Sequence, residues 1–445
     1  MRSFINNIKN IDMVNPSIEA FNHNLLQFLD KSPTPFHAVA VMVAHLKQNN
    51  FQHLNELNAW GALPAGKYFV TRNDSSLIAF TLAEEDLAET GFKMVGAHTD
   101  SPCLKVKPQP EKIKHNLAQL GVEVYGGALL NPWFDRDLSM AGRVSYLNSQ
   151  QEIQHTLVDF DKAVATIPSL AIHLDREANK DRTINPQNHL PPIVMQVSDG
   201  DKIDFRHILL QQLKKQQAQC EIAKVLDYEI CLYDTQAAAI TGLNDDFINS
   251  ARLDNLLSCY VGLNSLLNSD LTQSNLLVCS DHEEVGSVSA SGAQGSFLGS
   301  VLHRLCPDIE QCHRMLQRSM MISADNAHAI HPNYADKHDA EHGPKINQGP
   351  VIKTNANQRY ATNSDTSAYF RQLCEQVNVP VQDFVVRTDM GCGSTIGPII
   401  SSTLGVKTID IGVPTFAMHS IRELAGSQDA YMLNTVLTKY FKQSK

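Results

Sequence analysis

After Ser250 the sequence alternates short apolar runs with longer amphipathic ones, and this alternation restricts the fold more than any other feature. LDNLLSCYVGLNSLL reads as helix, NLLVCS as strand, SFLGSVLHRLC as helix and MMISA as strand. TSAYFRQLCEQVN then reads as helix, and DFVVRT and VKTIDIG as strands. Such alternation predicts a parallel sheet covered by helices. A strand covered on both faces is apolar throughout, and NLLVCS has that character.

The first hundred residues supply more of the same layer. Asn15-Pro16 offers a cap and a first helical position, and Ile18, Phe21, Leu25 and Phe28 follow on one face. Thr34-Pro35 opens a second helix through FHAVAVMVAHLKQ. KYFVTR, SLIAFTL and FKMVGA then read as strands. Between residues 102 and 245 the pattern differs. KVKPQPEKIKH, the β-like VEVYGGALL and GRVSYL, a polar loop, the helix FRHILLQQLKKQQ and the strand YEICLY do not continue the alternation. The expected organisation is a catalytic α/β domain from residues 1–101 and 246–445, with a β-rich domain of residues 102–245 inserted into it.

Four of the expected strands run into residues that bind metals. FKMVGA leads to His98-Thr99-Asp100, and NLLVCS to Asp281-His282-Glu283-Glu284. MMISA leads to Asp325, and VKTIDIGVPTF to Met418-His419. Ligands of open α/β sheets bind outside the carboxyl ends of the strands. Each residue alone has a commoner explanation: Asp254 could cap a helix, the Glu pair could be a solvated face, and His419 could sit in a core. Their shared placement after strands points to a metal hydrolase.

Imidazole and carboxylate ligands without thiolate suit a catalytic zinc site. A pair of ions needs a shared carboxylate, and Asp254 in SARLDN is the candidate. Paired ions can clamp both oxygens of a hydrolysis. Manganese and cobalt accept the same donors. Asp100 is placed to orient His98. A general base must reach water without being neutralised by ligation, so Glu283 is read as base and Glu284 as ligand.

Composition excludes other classes. The net charge is −10 and no Lys/Arg cluster appears, so nucleic acid is not an expected partner. Nine cysteines without a CxxC pair argue for a reducing compartment. The opening MRSFINNIKNIDMVNPSIEA has no apolar core of a secretion signal. No apolar stretch approaches the roughly 18 residues that span a membrane. A cytoplasmic protein without membrane contact is expected.

At these residues the chain resembles the aspartyl aminopeptidase family of metallopeptidases. The resemblance covers nearly the whole chain, through SPTPFHAV, GAHTDSPCLKVKP, WFDRDLSMAGRV, LAIHL, SARLDN, DHEEVGS, SADNAHAIHPNYADKHD, GPVIK, QRYATN, GCGSTIGPI and AMHSIRE. It implies removal of N-terminal residues from peptides, with Asp or Glu preferred. It implies two zinc ions per subunit on His98, Asp254, Glu284, Asp325 and His419, with Glu283 as base and Asp100 behind His98. It also implies that His173 of LAIHL reaches a neighbouring subunit's site, to touch substrate, steady the oxyanion or even ligate metal. The inserted domain would mediate dimer contacts in a hollow tetrahedral dodecamer. Lys353 of GPVIK would face an acidic substrate side chain, while His331 of HPNY leaves substrate and packing roles open. From the residues alone, His173 would be a strand-edge histidine.

Two other readings share the expected metal set. One is a di-zinc deacetylase or amidohydrolase acting on small amides. The other is a silent homologue that serves as a cage or scaffold. The Gly-rich GCGSTIG lacks the GK[ST] ending of a phosphate loop and is read as a turn lining the pocket.

Overall fold

The computed structural model describes residues 17–216 and 222–443. Residues 1–16 of the stretch read for a secretion signal, Asn15 and Pro16 among them, and Gln217 at the end of FRHILLQQLKKQQ lie outside them. The first described helix, Ile18–Asp30, is capped by the Ser17 side chain, which accepts from the Ala20 amide. Thr34 caps the next helix, Pro35–Gln48, with proline in its first turn.

The chain divides into two compact units. The larger contains the described residues up to Asp100, then 238–418 and 423–443. Its centre is a nine-stranded mixed sheet. Asn275–Ser280, Lys93–His98, Met320–Ala324 and Lys407–Gly412 lie side by side and parallel in that order. Antiparallel strands flank them: Ser76–Leu82 on one side and Val351–Lys353 on the other. Helices cover both faces, so Lys93–His98 and Asn275–Ser280 are buried throughout, and only the first residues of the other two, Met320 and Lys407, reach solvent.

On one face Met94, Leu276 and Val278 pack with Phe297, Val301, Met315, Ile396 and Ile400. On the other lies the helix Leu253–Leu267, in which every residue is buried. A helix covered all round must be apolar all round, and LLSCYVGLNSLL nearly is. Gly262 permits its close approach: a Cβ there would stand 2.7 Å from Leu277 Cδ1 and 3.4 Å from Val95 Cγ1. A second, five-stranded sheet joins Ala239–Thr241, Phe247–Ser250, Glu423–Gly426, Pro414–Phe416 and Ala327–His328.

Two strand readings are corrected. DFVVRT is strand only over Gln382–Phe384, because Val385 and Val386 leave the sheet to line a cavity. VKTIDIGVPTF is two strands, and its second piece, Pro414–Phe416, belongs to the five-stranded sheet.

The smaller unit contains residues 101–237 and 419–422. Six antiparallel strands follow the order Ile153–Asp159, Leu138–Asn148, Ile222–Asp234, Cys103–Lys114, Leu117–Tyr125 and Ile193–Gln196. The helix Phe205–Gln216 contributes Phe205, Leu209 and Leu213, spaced by four, to the core of this unit.

Two histidines of the helix Pro35–Gln48 are buried. Burial pushes the His37 imidazole down to about 3, with the nearby Arg252 charge adding to the effect. Its Nδ1 lies 2.8 Å from Thr34 Oγ1. Burial holds His45 at about 4, with Lys31 reinforcing it. The unfolded chain therefore binds a proton at each site before the folded one does. Their contribution to stability is complete above about pH 6.5 and is lost as pH falls towards the folded values. For His37 this is about 2 kcal/mol between about pH 6.5 and about pH 5. Urea unfolding near pH 7.5 and pH 5 should show a loss on acidification that shrinks by that amount in His37→Asn. An unchanged loss would mean that His37 is charged in the fold.

Candidate metal centre

The larger unit brings four segments to one edge of the nine-stranded sheet. His98 is the last residue of Lys93–His98 and is 2% exposed. Its Nδ1 lies 3.1 Å from the Asp100 carbonyl oxygen and 3.5 Å from Asp100 Oδ1. Its Nε2 faces three other carboxylates. Asp254 Oδ1 is at 3.5 Å, Asp325 Oδ1 at 3.6 Å and Glu283 Oε2 at 4.0 Å. The Cys259 thiol donates to the His98 carbonyl, which ties this strand end to the buried helix.

Asp254 precedes the regular part of its helix. Asp254 and Asn255 have non-helical backbone angles, and the peptide between them is cis. The Asp254 amide donates to Glu423 Oε2 at 2.9 Å, and Asn255 Nδ2 donates to the Ala324 carbonyl at 2.8 Å. Asp325 follows the strand Met320–Ala324, and its amide donates to the Ile411 carbonyl.

Beyond Ser280 the chain turns through His282, whose φ is +63°, into a single 3-10 turn, Glu283–Val285. Asp100 sets this turn. Its Oδ1 accepts from the Glu283 amide and its Oδ2 from the Glu284 amide, each at 3.1 Å. Asp100 therefore lies beside His98 Nδ1 and also fixes the backbone of both glutamates.

Several carboxylates crowd one imidazole here, mostly out of water. Like charges about 4 Å apart repel by about 4 kcal/mol at an effective dielectric of 20. Burial pushes the Glu283 carboxyl up to about 7; Asp325, Asp254 and Asp100 add to the rise, and His98 opposes it. Burial disfavours charge on His98, but Asp100, Asp254, Asp325 and Glu283 together raise it well above its ordinary value. The cluster is short of positive charge.

A divalent ion fits that deficit. His98, Asp254 and Asp325 each offer a ligand atom within 4.8 Å of the others, and so do His98, Glu283 and Glu284. Nitrogen and oxygen donors without sulfur match zinc at a catalytic site.

Lys353 ends the strand Val351–Lys353 and is 2% exposed. Its Nζ donates to the Asn326 carbonyl at 3.1 Å and lies 3.4 Å from Asp325 Oδ2. Nearby, a cavity of about 320 Å³ is lined by His328, His331, His338, Phe384, Arg387 and Phe416, among others. Gly391 of the GCGSTIG segment also lines it. His331 packs against Phe416 and Tyr334 there, with ring centroids at 5.3 and 4.9 Å.

Two residues singled out from sequence belong to the smaller unit. His419 has φ +66°, and its Nδ1 lies 3.2 Å from the Gly127 carbonyl oxygen. His173 is exposed and sits in a turn over residues 172–174, not at a strand edge. Glu423 and Asn255 were not singled out from sequence. Both act on the Asp254 turn through hydrogen bonds that exist only once distant segments meet.

The family model described as aminopeptidase I zinc metalloprotease (M18) matches residues 28–441. A probable M18 family aminopeptidase 2 of Pseudomonas entomophila is 58% identical over 424 residues, covering 95% of this chain and 98% of that protein. Its counterpart in Pseudomonas aeruginosa is 57% identical over the same shares. Among solved structures, a cryo-EM structure of the Ape4 and Nbr1 complex aligns with a TM-score of 0.92 at 36% identity. That alignment covers 95% of this chain and 86% of the other. A mApe1 dodecamer from S. cerevisiae aligns with a TM-score of 0.82 at 28% identity, over 94% and 96% of the two chains.

Proposed function

Because the chain belongs to the M18 family of aminopeptidase I zinc metalloproteases and is a metallo-aminopeptidase, we propose that it removes N-terminal Asp or Glu from peptides. The observation that carries this reading is the carboxylate cluster around His98 with a lysine, Lys353, beside it.

We assign two zinc ions per subunit to His98, Asp254, Glu284, Asp325 and His419, with Asp254 shared. His98, Asp254 and Asp325 are supported by their geometry. His419 enters on its sequence position and the family resemblance. Zinc, when bound, acidifies water and polarises the scissile carbonyl. Glu283 takes the proton from the attacking water and delivers it to the leaving amine. Asp100 holds the backbone from which Glu283 reaches out.

The inserted segment, residues 102–245, is assigned to dimer contacts, and His173 to the oxyanion of a neighbouring subunit's site. The turn that carries His173 supports this, since Leu170, Ile172 and Leu174 are 59%, 48% and 75% exposed. Apolar side chains clustered in the open mark an interaction surface. The S. cerevisiae relative is a dodecamer, and we propose the same assembly, built from dimers, for this chain. No described helix is long and apolar enough to cross a membrane. A cytoplasmic location is proposed from the nine cysteines scattered without a CxxC pair.

Lys353 supplies positive charge for the acidic side chain. A hydrogen bond to a charged group contributes about 1.5–3 kcal/mol, which corresponds to about 10–100-fold discrimination. On zinc-reconstituted enzyme, a panel of aminoacyl substrates should show Asp and Glu favoured over Leu by that factor, and Lys353→Ala should erase the difference. Equal rates on Leu and Asp in the parent would leave a general aminopeptidase.

A further inference from the structure

Lys353 is engaged before any substrate arrives. Its ammonium is buried, donates to the Asn326 carbonyl at 3.1 Å and pairs with Asp325 Oδ2 at 3.4 Å. The other oxygen of the same carboxylate, Oδ1, faces His98 Nε2 at 3.6 Å. The Tyr360 ring lies 5.2 Å from the ammonium. The backbone restrains the lysine further, because Val351 and Ile352 pair with Gly412 and Ile411, and Lys353 lies level with Phe384. The Asp325 amide is itself bonded to the Ile411 carbonyl. Lysine and aspartate thus hang from the two strands that flank Lys407–Gly412 in one sheet.

We propose that Lys353 is a positioning residue for the metal centre: it occupies Oδ2 of Asp325 and so turns Oδ1 towards the metal. This rests on the assignment of Asp325 as a ligand. Two effects of the cation compete. Its charge repels a dication, which weakens binding. Its hold on Asp325 fixes the carboxylate's rotation, which strengthens binding. The buried ammonium, hydrogen-bonded to the Asn326 carbonyl and ion-paired with Asp325 Oδ2, favours the second effect, since the outer partners of metal ligands typically account for 10–100-fold in affinity. Acid selectivity and zinc retention then depend on one side chain.

The test is zinc affinity, measured without substrate by competition with a chromophoric chelator on the intact oligomer. Lys353→Met keeps the length and removes the charge, and circular dichroism checks that it folds. It should bind zinc about 10–100-fold more weakly. Lys353→Arg, which can still donate to both oxygens, should recover most of that loss. Unchanged or tighter zinc binding in Lys353→Met would overturn the proposal and leave Lys353 with substrate contact alone. Asp325→Asn is the control. If it binds zinc as the parent does, the ligand assignment has failed, rather than the role of the lysine.

Discussion

Glu283→Gln is expected to lower kcat by about 10²–10⁴-fold while zinc content and KM stay near those of the parent. Glutamine keeps the size of the side chain and its hydrogen bonding, but it cannot accept a proton from water. The separation between turnover and metal content is the decisive measurement. Glu284→Gln should do the reverse and release metal on dialysis. Elemental analysis of the two dialysed variants, beside single-turnover rates, distinguishes the adjacent glutamates. If Glu283→Gln loses zinc and Glu284→Gln keeps it, the two roles are exchanged. A parental rate in Glu283→Gln would mean that the proton goes elsewhere.

The second large effect concerns Asp254. It is the carboxylate assigned to both ions, and its turn is held from two sides by Glu423 and Asn255. Outer partners of a ligand account for 10–100-fold, so loss of a shared ligand should exceed about 100-fold in metal affinity. A resident metal also stabilises the fold by mass action, by about 4 kcal/mol when its free concentration is 1,000 times Kd. Chelation should therefore lower the melting temperature of the parent markedly and that of Asp254→Asn hardly at all. An equal drop in both would mean that Asp254 is not part of the metal set.

The sequence discloses the sheet more readily than the hydrogen bonds that tune the site. NLLVCS, MMISA and FKMVGA are legible because a strand buried on both faces leaves a short, unbroken apolar run. His98 and Asp325 follow from the position of those runs, since the carboxyl edge of such a sheet is where ligands collect. Glu423 was illegible for a physical reason. It pairs with Ser250 across two strands distant in sequence, and its carboxylate reaches a backbone amide rather than a side chain. No spacing rule records such a bond. The burial of Lys353 was equally hidden. A lysine after two apolar residues ordinarily ends a strand in solvent, but here Asp325, the Asn326 carbonyl and the Tyr360 ring come from other segments to surround its ammonium. The His173 turn misled because LAIHL has strand-like composition, yet its apolar residues stay outside any sheet.

Asp100 has a consequence for how such a site can change over time. One carboxylate grips the amides of two consecutive residues that are assigned different tasks. Sequence neighbours thereby become a single mechanical part, with one fastening for both. Any substitution that loosens it moves the proton acceptor and the metal donor together. Catalytic rate and metal retention would then decline in step, and selection on either one preserves the other.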